Sequence, residues 1–399
     1  MSPERRCIFY RPSPLDEDSR SGSGMRPASM LRAFRQLGYE VDVVAGRAVD
    51  RRKLAHNVRS KLNSGVRYEF LYAEPPTTPT LLTEPHHIPT HPLMDYMLLL
   101  ACRSHRVPVV LFYCDVHWRL PHYRRRVGWL KYLALLPFFH LDLLAYRGLV
   151  DALLVPDARM LRRIASWAPR KPHWTSMPGF DDGEALHDRH DVAGAPLRVL
   201  YVGGVEPPVY DLIPLLRASA WAVAHGADHT VTICSREPEW IRGGGRYAKY
   251  MSAHVKVVHN KTRAELLNLY AAHDVSVMPY GTLNSDWAMP IKFAEAIGMG
   301  LPVLAGRGTA VGGIVEQEGI GWVVGEAETD LADLLRRVDA AELERARAAV
   351  RRLRPTYSWV ERALEIVAIA EAVRGGGLAS LPAEQRAEGA EKDLHVEAK

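Results

Sequence analysis

A basic and an acidic side chain lie one helical turn apart in the later part of the chain. Lys292 and Glu295 belong to a segment whose pattern predicts a helix from Pro290 to Gly298. A cation at a helix N-terminus adds to the positive end of the helix dipole, so it is favourable there only beside an anion such as a phosphate. Glu295 is suited to accept hydrogen bonds from ribose hydroxyls. The alternative is a surface Lys–Glu pair, because this spacing is common on helices.

A carboxylate suited to proton transfer follows a predicted strand in the first half of the chain. Asp115 follows the apolar run Val109–Tyr113, with Cys114 between them. Ligands of open α/β sheets bind at the carboxyl ends of the strands. A carboxylate at such a position can take the proton of a hydroxyl nucleophile. The alternative is that Asp115 only caps a turn at the end of the strand.

Three further side chains are expected to contact a substrate. Arg26 ends the Gly/Ser-rich segment Ser21–Arg26, where glycine lets a ligand approach the backbone and the guanidinium is suited to bind phosphate. His117 and Trp118 follow Asp115 and are expected to line the site of the nucleophile. The alternatives are a flexible surface turn for the glycine-rich segment and ordinary packed side chains for His117 and Trp118.

Metal binding is not indicated by the sequence. The four cysteines are scattered without CxxC spacing, and His86, His87 and His91 form no carboxylate-backed cluster. We therefore expect no metal ion, no cofactor and no disulfide framework, and a reduced compartment.

Strands and helices alternate along the chain in two series, which positions these candidate residues. The first series has apolar strand patterns at Arg6–Tyr10, Glu40–Ala45, Tyr68–Ala73, Val107–Tyr113 and Ala152–Val155. The second starts at Leu197–Val202, which Gly203 and Gly204 follow. This alternation is typical of parallel sheets with helices on both faces. The predicted fold class is α/β, with two Rossmann-like domains facing across a cleft.

The composition of the chain indicates where the domains begin and end. We predict a first domain at 1–175, a linker rich in Pro, Gly, Asp and His at 176–196, and a second domain at 197–355. A helix at 356–373 is expected to return to the first domain. The polar, aromatic-free tail 374–399 predicts disorder.

Charge and hydropathy exclude some functional classes. Among 399 residues, 51 Lys and Arg against 46 Asp and Glu give a net charge of +5, which is too small an excess to indicate a nucleic-acid partner. Proline occurs too near the start of the N-terminal segment to leave room for the apolar core of a signal peptide. The apolar stretch Trp129–Leu144 is too short and too polar to cross a bilayer.

A membrane surface is nevertheless a plausible contact for this stretch. The basic cluster Tyr123–Arg126 precedes Trp129–Leu144, an arrangement that favours binding at a membrane interface, and a core helix with a charged start is the alternative. We expect a cytoplasmic protein that is peripheral on the inner face of the membrane.

Several segments together resemble GT-B glycosyltransferases. Pro290–Ala296, followed by Gly300–Val303, is similar to the donor-nucleotide motif of that superfamily. Further similar segments are Arg198–Gly204, Met177–Asp181 and Tyr357–Trp359. The resemblance implies a GT-B fold and transfer of a sugar from a nucleotide-sugar donor, with UDP favoured, to a hydroxyl of a saccharide or lipid-linked acceptor. Metal independence is expected because Lys292 and helix dipoles can neutralise the leaving diphosphate.

The resemblance also implies roles for individual residues. Donor binding is assigned to Gly203, Gly204, Tyr280, Asp286, Ile291, Lys292 and Glu295. Asp115 is the implied catalytic base, and Arg26, His117 and Trp118 are implied to bind the acceptor.

The chain departs from the retaining enzymes that resemble sucrose-phosphate synthase. Those enzymes carry an additional Glu where this chain has Trp287, and an Arg and a Lys within the segment that corresponds to Val205–Asp211. Lys292 followed by Glu295 is closer to the inverting glucuronosyltransferase of xanthan assembly. The alternatives are a non-catalytic nucleotide-sugar-binding protein on the same fold and a UDP-sugar epimerase.

Overall fold

The structure, a computed structural model, describes residues 5–16, 22–164, 172–181, 195–207, 209–259, 261–278, 286–325 and 327–376. The chain divides into two compact units. Unit 1 comprises Met1–Met177 and Trp359–Lys399, and unit 2 comprises Pro178–Ser358. Most of the predicted linker, 182–194, and most of the predicted disordered tail, 377–399, lie outside the described residues.

Unit 1 is built on a parallel six-stranded sheet. Its strands are β1 (Arg6–Arg11), β2 (Glu40–Ala45), β3 (Phe70–Ala73), β4 (Val109–Phe112), β5 (Ala152–Val155) and β6 (His173–Thr175), in the order β2-β1-β3-β4-β5-β6. Its first six helices are α1 (Gly22–Gln36), α2 (Ala48–Asn63), α3 (Met94–Ser104), α4 (Pro121–Val127), α5 (Trp129–Leu149) and α6 (Arg159–Arg162). Every residue of β3, β4 and β5 is buried, which is typical of a parallel sheet covered on both faces.

Two features of unit 1 differ from the predictions. Helix α1 begins at Gly22 and contains Pro27, so the expected glycine-rich loop is helical from Gly22 onward. Pro27 lies in the second turn, where the ring removes one backbone N–H donor while the rest of the helix continues. The short strand β6 pairs with β5 although its sequence, His173–Thr175, has no apolar alternation long enough to predict a strand.

Unit 2 contains a second parallel six-stranded sheet. Its strands are β7 (Leu197–Val202), β8 (His229–Ser235), β9 (Val255–His259), β10 (Val275–Val277), β11 (Val303–Gly306) and β12 (Gly321–Val324), in the order β12-β11-β10-β7-β8-β9. Its helices are α7 (Ile213–Ala224), α8 (Glu237–Gly243), α9 (Arg263–Ala271), α10 (Ile291–Gly298), α11 (Ala310–Glu318), α12 (Glu328–Arg337) and α13 (Ala340–Leu353). The two observed sheets confirm the predicted α/β class with two Rossmann-like units.

The last helix, α14 (Trp359–Gly375), belongs to unit 1 and packs on α1, β3, β4 and β5. Short 3-10 segments occur at Thr80–Leu82, His117–Arg119, Gly244–Tyr250 and Arg354–Tyr357. Within the described ranges, no single helix has the length and apolar character to span a membrane. Helices α4 and α5 have that length and apolar character only when they are taken together, and the chain bends by 120° between them.

Candidate functional site

The strand order of unit 2 indicates the edge of its sheet at which a ligand is expected to bind. The chain adds β8 and β9 on one side of β7 and then β10, β11 and β12 on the other, so the topological switch lies between β7 and β10. Ligands of open α/β sheets bind at the carboxyl ends of the strands at such a switch. Gly203 and Gly204 directly follow β7, and α10 is the first helix after β10 among the described residues.

The buried carboxylate of Glu295 accepts hydrogen bonds from three side chains on α9 and α10. Its Oε1 accepts a hydrogen bond from Arg263 Nη1 at 2.5 Å, and its Oε2 accepts from Lys292 Nζ at 2.9 Å and from the Tyr270 hydroxyl at 3.1 Å. Burial by itself raises the pKa of Glu295, but the Lys292 and Arg263 cations outweigh burial and lower it. The carboxylate is therefore ionised and holds two cations in place.

The structure bears on both interpretations of the Lys292–Glu295 pair. The pair forms, but it is not a surface pair, since the Glu295 side chain is 1% exposed and that of Lys292 is 25% exposed. An ammonium group has three N–H donors, so the bond to Glu295 leaves Lys292 able to bind an anion from solvent. Glu295 already receives three donors from the chain, so a bond to a ribose would require one of them to move. Its ribose role stays a prediction.

The helix that carries Lys292 presents its N-terminus at this edge. Pro290 is the extended N-cap residue, Ile291 is the first helical residue, and Lys292 lies in the first turn. The Ile291 side chain is buried, so its backbone N–H is the group that it can offer to a ligand. The first N–H groups of an α-helix have no partner within the helix and favour a bound anion.

Arg263 and Tyr270 were missed by the sequence analysis. Both lie on α9, which begins with a capping box formed by Thr262 and Glu265. The sequence shows that capping signal, and it predicts the start of a helix. Nothing in the sequence links α9 to Glu295, because this contact arises from tertiary packing.

The two glycines after β7 are explained by packing inside unit 2. A Cβ on Gly203 would lie 2.7 Å from the Tyr201 hydroxyl, and a Cβ on Gly204 would lie 2.5 Å from the ring of Tyr210. The Tyr201 hydroxyl also donates to the Gly204 carbonyl at 2.5 Å. A larger residue at either position would therefore require a tyrosine side chain to shift, whether or not a ligand is bound. Donor binding by these glycines stays a prediction.

The remaining predicted donor residues lie just before α10. Tyr280 falls in 279–285, outside the described residues, and Asp286 is the first described residue after that gap. Asp286 is half-buried. Trp287 is fully buried, so an indole packed in the core occupies the position where retaining relatives carry a carboxylate.

Asp115 and His117 lie together after β4 in unit 1. Asp115 Oδ1 accepts a hydrogen bond from the Val116 N–H at 2.7 Å, and Asp115 Oδ2 lies 3.5 Å from His117 Nδ1. Both side chains keep about one fifth of their surface exposed. Burial lowers the pKa of His117, although the charge of Asp115 opposes the shift. Asp115 thus makes a local turn bond and also keeps a carboxylate near the surface beside a neutral imidazole.

The structure contradicts the prediction that Trp118 lines an acceptor site. The indole is fully buried and stacks on Phe139, with ring centroids 4.7 Å apart and an interplanar angle of 11°. Its Nε1 donates to the Tyr113 hydroxyl at 3.3 Å. Trp118 is therefore a core residue that supports the turn carrying Asp115.

Arg26 also differs from its predicted role, because its guanidinium is buried within unit 1. Nη1 donates to the Met177 carbonyl at 2.9 Å, Nη2 donates to Ser176 Oγ at 2.8 Å, and the group lies 3.7 Å from the centroid of the Phe112 ring. Nε lies 3.7 Å from Glu74 Oε1. These contacts leave no exposed face for a phosphate or an acceptor, so Arg26 is a structural cation.

Glu74 is a buried carboxylate that the sequence analysis did not single out. It directly follows β3 and accepts a hydrogen bond from the Tyr72 hydroxyl at 2.8 Å. Burial raises the pKa of Glu74, and the charges of Arg26 and Arg11 oppose the shift. The signal that drew attention to Asp115, a carboxylate after a buried strand, is equally present at Glu74.

Groups of three or more His, Cys, Asp or Glu side chains able to hold a metal ion are absent from the described ranges. Metal independence and the lack of a cofactor stay predictions.

Comparison with known proteins bears directly on unit 2. Residues 196–339 match the family described as glycosyl transferases group 1. This segment is similar to group 1 glycosyltransferases. It contains the β7–β10 switch, Lys292 and Glu295. Comparison with curated protein sequences gives no significant match.

Several solved structures share the fold over nearly the whole chain. HepE from Anabaena in complex with UDP aligns with a TM-score of 0.63 and 12% identity, over 92% of this chain and 100% of HepE. Sucrose-phosphate synthase from Thermosynechococcus elongatus gives 0.59 and 13%, over 93% and 100%. WaaG, a glycosyltransferase involved in lipopolysaccharide biosynthesis, gives 0.56 and 13%, over 92% and 99%.

These comparisons confirm the predicted resemblance to GT-B glycosyltransferases and the predicted fold. Glycosyltransferase is the enzyme class that the group 1 match indicates. The closer relationship to the xanthan glucuronosyltransferase stays a prediction, as do the roles of the individual glycosyltransferase site residues.

Proposed function

We propose that the protein transfers a sugar from a nucleotide-sugar donor to a hydroxyl of a saccharide or lipid-linked acceptor, without a metal ion. The observation that carries the proposal is Lys292 in the first turn of α10, within the segment that matches the group 1 family. A cation held there by a buried carboxylate is suited to bind a diphosphate.

The N-terminus of α10 is suited to stabilise the charge of the leaving group. As the bond between the anomeric carbon and the phosphate oxygen breaks, negative charge develops on the nucleoside diphosphate. The Lys292 ammonium and the first N–H groups of α10 are positive and already fixed, so they stabilise that charge without reorganising. Glu295 acts as a positioning residue for Lys292, and Arg263 shares the same carboxylate.

Asp115 is the proposed base. Its carboxylate takes the proton of the acceptor hydroxyl while the oxygen forms a bond to the anomeric carbon and the diphosphate leaves. Such a single displacement inverts the anomeric configuration. Inversion is also favoured by Trp287, because its buried indole leaves no carboxylate at the corresponding position of the retaining enzymes.

UDP is the favoured nucleotide. The sequence resemblance favours it, and HepE, which shares the fold, has been solved with UDP and with UDP-glucose.

The surface of α4 and α5 supports a peripheral contact with the inner face of the membrane. Trp129, Leu130, Leu133, Leu141 and Leu144 are exposed on α5. The preceding helix α4 ends in three exposed arginines at 124–126. Apolar side chains beside arginines are typical of a helix that lies in the headgroup region. Such a contact would bring the enzyme to a lipid-linked acceptor.

A panel of UDP-, GDP- and dTDP-sugars tests the function. A binding donor raises the melting temperature by mass action, and product analysis by NMR then separates the candidate functions. We expect stabilisation by a UDP-sugar and transfer with inverted stereochemistry when an acceptor is present. Tight binding without turnover for any acceptor would identify a binding protein, and an epimerised donor would identify an epimerase.

A further inference from the structure

A groove of about 840 Å³ lies on unit 1, away from the residues discussed above. One wall is α2, which contributes Val49, Arg52, Lys53, His56 and Arg59. The other wall is formed by His91, Pro92, Leu93, Met94 and Met97. The α2 residues follow helical spacing, so one face of the helix lines the groove. The opposite face of α2 is buried.

Among the residues that the structure describes, the cations of the groove have no partners, unlike their neighbours on the same helix. Arg51 is paired with Asp95 at 3.0 Å, and Lys61 is paired with Asp42 at 2.7 Å. Across the part of the chain that the structure describes, Arg52, Lys53 and Arg59 form no ion pair or hydrogen bond, and no carboxylate lines the groove. These unpaired cations leave N–H donors free to bind an anion that enters the groove.

The other wall and the rim are apolar. Leu93 is 68% exposed, and Val49 and Met97 are also exposed. A free phosphate would gain nothing from these side chains, whereas a molecule with an anionic head and an acyl chain would contact both walls. The volume of the groove also exceeds what a single phosphate group fills.

Further exposed apolar side chains lie on the helices that follow α2 in the packing of unit 1. Helix α2 packs on α3, and α3 packs on α5. Leu100 on α3 and Leu144 on α5 are exposed. Helices α2, α3 and α5 therefore form one layer whose outer side chains combine cations with apolar groups.

We propose that this groove binds the phosphate headgroup of an anionic phospholipid in a bilayer, with Arg52, Lys53 and Arg59 on the phosphate and Leu93 and Met97 against the start of the acyl chains. The inference rests on the membrane contact proposed for α4 and α5, and it does not depend on glycosyl transfer.

Vesicle sedimentation of the full chain tests the proposal. Vesicles of phosphatidylcholine alone are compared with vesicles that also contain phosphatidylglycerol. The test variant is R52Q/K53Q/R59Q. The control variant is R35Q/K256Q/R345Q, which removes the same charge from exposed positions elsewhere. Circular dichroism checks that both variants are folded.

We expect the groove variant to bind phosphatidylglycerol vesicles about tenfold more weakly or worse, while the control variant stays within about twofold of the wild type. L93Q/M97Q should also weaken binding, because it removes the apolar wall. Inorganic phosphate at millimolar concentration should not displace the protein from vesicles.

Any of four results would overturn the proposal. Equal losses in the groove and control variants would show a nonspecific charge effect. Displacement by inorganic phosphate would show that the groove takes a free anion. L130Q/L133Q on α5 could abolish vesicle binding while R52Q/K53Q/R59Q leaves it unchanged. That result would support the α4–α5 membrane contact and refute lipid binding by the groove. Absence of binding to any vesicle would refute both.

Discussion

Lys292 donates a 2.9 Å hydrogen bond to Glu295 one helical turn later, and only the lysine of this pair reaches solvent. A lysine in the first turn of a helix is unfavourable by itself, because it adds to the positive end of the dipole. The buried carboxylate offsets that cost and fixes the direction of the ammonium. The pair therefore keeps a cation in position at the N-terminus of α10.

Replacing Glu295 by Gln should destabilise unit 2, because Lys292 and Arg263 lose their shared anion. We expect the free energy of unfolding at pH 7 to fall by about 1–3 kcal/mol in urea denaturation. The pKa of Glu295 is lowered in the folded state, so its stabilisation is fully present above the ordinary Glu pKa and is lost as the pH falls through the folded value. The difference between wild type and variant should therefore narrow on acidification.

Glu344→Gln is the matched control, since Glu344 forms an exposed ion pair with Arg351 on α13. Exposed pairs contribute little, so we expect a change of less than about 1 kcal/mol. A difference for Glu295→Gln that stays constant or widens between neutral and acidic pH would contradict the assignment of an ionised, stabilising carboxylate.

Asp115→Asn should lower turnover about a hundredfold or more, because the acceptor hydroxyl loses its base, and donor affinity should change little. The same substitution has a second readout. The charge of Asp115 raises the pKa of His117 against the effect of burial, so its removal should move the NMR titration of His117 to lower pH. Near-normal turnover together with a shifted His117 titration would place the base elsewhere.

Arg26→Met should destabilise unit 1 without affecting nucleotide binding. The substitution removes a buried cation from beside Glu74, and we expect a loss of about 2–4 kcal/mol in the free energy of unfolding. Arg26→Lys should not restore stability, because an ammonium cannot reproduce the bonds of the planar guanidinium to Ser176 and Met177. Normal stability with weakened UDP binding would return Arg26 to the ligand site.

Local sequence patterns predict much of the fold. The strands at Glu40–Ala45, Ala152–Val155 and Leu197–Val202 have the predicted bounds, because their apolar runs end at turn residues. Strand β6 was missed, since three residues carry too little periodicity and the strand forms by pairing with β5. The glycines before Pro27 predicted a loop, but these glycines and Pro27 itself lie within α1.

The site was predictable only where its residues are close together in sequence. Lys292 and Glu295 are separated by one helical turn, so their pairing can be inferred from spacing. Arg263 reaches Glu295 from α9, and only the packing of the two helices brings them together. Arg26 and Trp118 have side chains that suit ligand binding, but burial decides their role, and burial depends on elements far away in the chain.

Calorimetric titration of UDP tests the central claim most directly. The wild type is compared with Lys292→Ala and with Lys256→Ala, a control at an exposed lysine on β9 of the same unit. We expect the UDP dissociation constant to rise about tenfold to a hundredfold for Lys292→Ala, as for the loss of a charged hydrogen bond, and to stay within about twofold for Lys256→Ala. An unchanged dissociation constant for Lys292→Ala would contradict the account.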